Sequence, residues 1–127
     1  MNQHEVDAVT SIATAGRTAC LGTPAIIAFA ADLIPHQPAV ARALLAHFAD
    51  LMQESSDSGA NFDPPTAFSR AFSRAFFEEE HTATYGPLGI DSRMACEFAS
   101  VLSDGLLMLH AGQTPTHVHE VAAAGRH

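Results

Sequence analysis

The stretch 64–111 constrains this chain most. It reads as two helices joined by a glycine-proline turn. The first helix carries one four-residue pattern three times: Ala67-Phe68-Ser69-Arg70, Ala71-Phe72-Ser73-Arg74 and Ala75-Phe76-Phe77-Glu78. Phe68, Phe72 and Phe76 recur every fourth residue and so share one helical face. Tyr85-Gly86-Pro87-Leu88-Gly89 is expected to break that helix, and a second runs over 91–111. Arg93, Glu97, Ser100 and Asp104 place its polar groups on a single stripe, and almost everything else on it is apolar. A surface helix of a small domain needs an apolar stripe of a little over about 100°. This one exceeds that, so two covers are expected: its own domain on one side and a second copy of the chain on the other. The residues expected at that dimer interface are Met94, Phe98, Val101, Leu102, Gly105, Leu106 and Leu109.

The rest of the chain repeats the helical pattern. Residues 6–15 form an expected first helix with Val6, Val9, Ile12 and Ala13 on one face. Asn2 or the Glu5/Asp7 pair favours its start, and Gly16 marks its end or a weak point. Thr23-Pro24 is a start signal, Thr as N-cap and Pro at the first helical position, for a helix over 25–34. Pro35-His36-Gln37-Pro38 stops that helix and opens a third over 38–54. Residues 55–61, small and polar with Gly59 among them, read as a loop. Asp63-Pro64-Pro65 restarts helix. Nothing alternates with period two for long enough to suggest a strand. The reading is an all-α, five- to six-helix bundle whose long C-terminal helical hairpin forms a four-helix dimer interface. Residues 1–127 make one domain, with a helical core over 1–112 and a weakly helical or disordered tail over 113–127.

Composition excludes several function classes. Apolar residues make up 47% of the 127, enough for a core and too many for a disordered chain. Six Arg and no Lys face fourteen acidic residues, a formal charge of -8. A self-sufficient nucleic-acid binder shows a basic patch or stripe, and the Arg at 17, 42, 70, 74, 93 and 126 form none in sequence. Direct nucleic-acid binding is therefore not expected. The longest apolar run, 24–31, is far short of the roughly 20 residues of a membrane span. The first residues carry no basic n-region, so no signal peptide is expected. Cys20 and Cys96 form no Cys-x-x-Cys pair and read as thiols of a reduced, cytoplasmic protein.

Eight His invite metal and acid-base readings. Glu78-x-x-His81 has the spacing that di-iron bundles use, but those sites need a second such motif and two further Glu. His117-x-His119-Glu120 sits on the tail without an apolar shell. No metal and no cofactor is expected. No glycine-rich phosphate loop is present. An all-α enzyme with His47, Glu54, Tyr85 or the Glu78/His81 pair in acid-base roles, in an interhelical pocket, is the alternative reading. The leading one is a non-catalytic domain that binds a small apolar ligand or a protein partner. Phe29, Leu33, Phe48, Met52, Phe68, Phe72, Met94 and Phe98 come from four expected helices and, with His47, are the candidate ligand-binding set. Arg70, Tyr85 and Ser73 are further polar candidates. Met and Phe also fill ordinary cores, so the set has a purely structural reading beside the functional one.

The second half also resembles the C-terminal part of a tetracycline-repressor (TetR) family regulator. The residues that carry the likeness are Phe76-Phe77-Glu78-Glu79-Glu80-His81, the turn Tyr85-Gly86-Pro87-Leu88-Gly89-Ile90-Asp91, and the apolar run through Asp104-Gly105-Leu106 to Leu109. The helix opening at Pro38-Ala39-Val40 adds to it, and the likeness spans 20–112. It implies a ligand-binding and dimerisation domain in which two C-terminal helices pack against their copies, in a setting of transcription regulation. Regulators of that family begin with a helix-turn-helix unit of about fifty residues. Neither its spacing nor its basic residues are found here, so the resemblance implies the effector and dimer part alone.

Overall fold

The computed structural model describes residues 2–32, 38–78 and 92–110, the side chains of Leu109 and His110 excepted. They form five helices: α1 Gln3–Thr18, α2 Thr23–Asp32, α3 Pro38–Ser58, α4 Pro64–Phe76 and α5 Ser92–His110. No strand occurs among the described residues, so the chain is an all-α bundle.

Helix α1 is longer than its apolar pattern predicts because both ends are capped. Asn2 Oδ1 accepts the Glu5 amide at 2.9 Å, and Glu5 Oε2 accepts the Asn2 amide at 3.2 Å. This capping box satisfies two backbone donors that the helix cannot pair internally. At the other end Leu21 N donates to Gly16 O at 3.1 Å and Cys20 N to Arg17 O at 3.0 Å. That is the Schellman pattern, and it places Cys20 at φ 55. A residue with a Cβ occupies a left-handed position that glycine fills at least cost.

Gly16 lies inside α1 rather than at its end, and its role is close approach. A Cβ added there would stand 2.8 Å from Pro65 Cβ, so α1 and α4 cross with no room for a methyl group. Pro65 itself follows from the restart signal. Asp63 is the N-cap of α4, with φ -106, and Pro occupies the first two helical positions. Neither Pro has an N–H to satisfy. The Asp63 carboxylate makes no cap bond and instead accepts the Thr66 hydroxyl.

Helix α4 is the centre of the bundle. It packs on α1, α2 and α3. Pro65, Ala67, Phe68, Ser69, Ala71, Phe72, Ser73 and Ala75 are all buried. Three members of the Ala-Phe-Ser-Arg unit are thus inside. The serines fit because each hydroxyl finds a partner, Ser69 the Thr66 carbonyl at 2.8 Å and Ser73 the Glu78 carboxylate at 3.5 Å. The helix stops at Phe76, well before the Tyr85-Gly86 break expected from sequence. An acidic run at a helix C-terminus opposes the macrodipole, and Glu78 is already outside.

Helix α5 runs beside α1, its main neighbour. Ser92 donates to Glu5 Oε1 at 2.8 Å and Cys96 Sγ to His4 O at 3.8 Å, which sets the two N-terminal ends side by side. Glu5 therefore caps α1 and holds α5. Ala95, Ala99, Leu102 and Leu106 are buried. Ser103 is buried among them and turns its hydroxyl back to Ala99 O at 2.9 Å. Arg93, Glu97, Ser100 and Asp104 face outward as one stripe. Residues 79–91, where the expected hairpin turn falls, and the tail 113–127 lie outside the described residues.

The remaining differences are boundaries. Helix α3 continues through Ser55-Ser56-Asp57-Ser58, read from sequence as loop. Gln53 Nε2 donates to Asp57 at 2.9 Å and Ser58 Oγ to Ser55 O at 3.2 Å, and Gly59 at φ 71 ends the helix. Helix α2 begins at Thr23 instead of after it, with Gly22 O accepting the Ile26 amide at 3.1 Å.

Candidate binding groove

The aromatic residues expected to line a pocket meet one another. Phe68 lies edge-on to Phe29 and Phe48, with ring centroids 6.4 Å and 6.3 Å away. Phe72 packs on Phe76 at 4.5 Å, and Phe76 on Phe98 at 6.3 Å. Such pairs stabilise beyond their area by roughly 0.5–1.5 kcal/mol. His47 is fully buried on α3, next to Phe48 in sequence. Met52 and Met94 stand apart from this group, 37% and 36% exposed. Leu33 and Tyr85 lie outside the described residues. The fold thus brings Phe29, Phe48, Phe68, Phe72 and Phe98 into one core, buries His47 on α3, and turns Met52 and Met94 outward.

Of the expected dimer residues, Phe98, Leu102, Gly105 and Leu106 are buried within their own chain. Val101 is half-buried and Met94 exposed, while the Leu109 side chain is not described. The apolar positions of α5 left exposed or half-exposed are Met94, Val101, Leu107 and Met108, of which Val101 also packs against the core. Met94, Val101 and Met108 recur every seventh residue, the spacing that keeps side chains on one line of a helix.

The open space lies elsewhere. A groove of about 360 Å³ sits where α3 turns into α4. Leu51, Phe62 and Ala67 give it apolar walls, and Asn61, Thr66 and Arg70 give it polar ones. The turn 59–63 holds Phe62 against Phe48, ring centroids 5.6 Å apart. Ser55 Oγ closes the turn on the Ala60 carbonyl at 3.0 Å. Phe62 is thereby part of both the core and the groove.

Charge is arranged around this groove. Glu54 on its rim takes Arg74 through two hydrogen bonds of 3.2 Å each. Such a fork is the strong form of the pair, and Arg74 is only 12% exposed. Asp63 faces Arg17 at 3.6 Å, and Arg17 also donates to the Thr66 hydroxyl. Both groove acids are thus neutralised by arginines from outside the lining. Arg70 projects from α4, exposed, with no ion pair among the described residues. Three of the six arginines, scattered in sequence, converge on this end of the bundle.

A second groove of about 310 Å³ follows the seam of α1 and α5. Thr10, Ser11, Thr14 and Thr18 line one side, and Ser103 with Leu107 the other. Burial, and next to it the charge of Glu5, push the Cys96 thiol above its ordinary value of 9.0. That favours the neutral thiol over the nucleophilic thiolate. No group of three or more His, Cys, Asp or Glu is placed to hold a metal among the described residues. His81, His117 and His119 lie outside them. No described helix is long and apolar enough to cross a membrane.

Sequence had pointed to Arg70 as a polar contact but not to Asn61, Phe62, Thr66 or Glu54 as its neighbours. Asn61 reads as loop and Glu54 as an acid-base candidate of the enzyme alternative, Phe62 and Thr66 carry no signal of their own, and only the α3–α4 turn assembles the four. The chain matches no family model, no curated protein and no solved structure at a significant level.

Proposed function

We propose that this chain is a non-catalytic, dimeric helical binding domain that takes a small molecule with an apolar body into the α3–α4 groove. The observation that carries the reading is the groove itself. Its volume of about 360 Å³ falls in the range of roughly 300–1,000 Å³ usual for small-molecule sites. Apolar walls with a few convergent polar groups are the composition such sites have. The bundle around it is filled by ring-on-ring contacts, so the groove can stay open while the core holds its shape.

The second subunit docks on the outward line of α5. Met94, Val101 and Met108 support this half of the proposal. The groove and the dimer line are on different helices, so a subunit can hold both partners at once. The setting suggested by the TetR resemblance is regulatory, with the ligand read out by a DNA-binding module that is not part of this bundle.

The ligand half is tested with N-phenyl-1-naphthylamine, a neutral apolar fluorophore. Enhanced, saturable fluorescence is expected with the natural chain. Ala60→Trp, placed on the exposed turn at the groove rim, is expected to abolish it without changing helicity. Fluorescence that Ala60→Trp leaves intact, or none with the natural chain, would count against the reading.

A further inference from the structure

We infer that the ligand of the α3–α4 groove carries an anionic head, a carboxylate, and that Arg70 is the residue that receives it. The inference rests on the small-molecule reading above and names the chemical class of the ligand. Three observations carry it. The first is the distribution of pairs. Arg74 is held by both oxygens of Glu54, and Arg17 by Asp63 and Thr66. The two acids of the groove lining are therefore already engaged.

The second is the local balance of charge. Glu54 and Asp63 in the lining are paired by Arg74 and Arg17 from outside it, which leaves Arg70 as the lining charge with no ion pair among the described residues, in a chain of net -8. The field of the whole chain repels anions, so an anion that binds here is chosen by the site and not by the surface around it. The third is chemistry. A guanidinium offers a planar fork of donors that matches a carboxylate, which makes Arg and not Lys the apt residue. Asn61 lies on the same lining with a side-chain amide that can donate to the second oxygen. Leu51, Phe62 and Ala67 then cover a short alkyl or aryl body.

The ligand class is a small amphipathic acid, with the carboxylate at the Arg70 rim and the apolar part along the wall made by Phe62. Charge-assisted bonds at an open groove are screened, so the expected preference is modest and falls with added salt.

The test compares octanoate with octan-1-ol, which share the same chain, by calorimetry on the full chain at low salt. Octanoate should bind about tenfold more tightly, the ratio that one net charge-assisted bond supplies. Arg70→Gln should bring octanoate down to the level of the alcohol while leaving the alcohol unchanged. Arg70→Lys should keep part of the preference. Arg70 is exposed, and an unchanged melting temperature confirms that the variants remain folded. Equal binding of acid and alcohol by the natural chain, or a preference that survives Arg70→Gln, overturns the inference and leaves the small-molecule reading standing. Binding of neither compound overturns both.

Discussion

Gly16→Ala is the most exacting perturbation of the fold, because two effects of known size oppose each other. On an isolated helix, alanine in place of glycine stabilises by about 1 kcal/mol. In this bundle the added Cβ would meet Pro65 Cβ at 2.8 Å, Pro65 Cγ at 3.4 Å and Pro65 Cα at 3.5 Å. Overpacking a well-filled contact costs roughly 1–3 kcal/mol. The upper half of that range applies, because Pro65 is a ring fixed in the first turn of α4 and has no rotamer to yield. The α1–α4 crossing must widen instead. A cost of about 2–3 kcal/mol less a gain of about 1 kcal/mol leaves a net loss of about 1–2 kcal/mol. With an m-value near 1.5 kcal/mol per molar urea, the unfolding midpoint should fall by about 1 M at unchanged m. Pro65→Gly removes the atom struck, so the pair of substitutions should be non-additive, with Gly16→Ala less harmful in that background. A single variant more stable than the natural chain by about 1 kcal/mol would show propensity acting alone. That result would refute the close crossing.

Cys20→Gly should stabilise, because Cys20 holds φ 55 at the end of α1. The gain is about 0.5–1 kcal/mol after allowing for the freer unfolded chain, or roughly 2–4 °C in melting temperature, read by thermal denaturation. In thiol labelling at mildly alkaline pH, the exposed Cys20 should react before Cys96, which is half-buried and has a raised pKa. The raised value favours the protonated form in the folded chain. Its contribution to stability is therefore present below pH 9 and lost as pH rises beyond the ordinary value of 9.0. A Cys96→Ala chain should lose less stability over that alkaline range. If the proposed dimer forms, Val101→Glu should convert it to a folded monomer by light scattering. Leu106→Glu, at a position 1% exposed inside its own subunit, should unfold the chain instead. A natural chain that runs as a monomer would remove the dimer.

Much of this fold is legible in the sequence. Proline at a first helical position placed the start of α4 correctly, and the polar stripe of α5 faces outward as its spacing predicts. These signals are local, so they survive without knowledge of the partners. The identity of the central helix was not legible. Counting Ser69 and Ser73 as polar makes α4 look half-wet, yet both are buried because their hydroxyls are satisfied close by. Residues 55–58 read as loop for the same reason: serine and aspartate favour turns when unpartnered, and here side-chain bonds keep them helical. Leu102 and Leu106 read as dimer contacts on α5, since nothing in sequence says that α1 packs along that helix and that both leucines are buried within their own chain. The groove depends on Arg17, Glu54, Asp63, Arg70 and Arg74 meeting at one end, a consequence of topology that no spacing encodes.

The α3–α4 groove is the proposed point of entry for a ligand. Backbone amide shifts followed during titration with octanoate test that directly. The largest changes are predicted on the lining residues Leu51, Glu54 and Ser55 on α3, Asn61 and Phe62 in the turn, and Ala67 and Arg70 on α4, with the α1–α5 seam unmoved. Changes confined to the residues around Thr14 and Leu107, or no saturable changes at all, would contradict it.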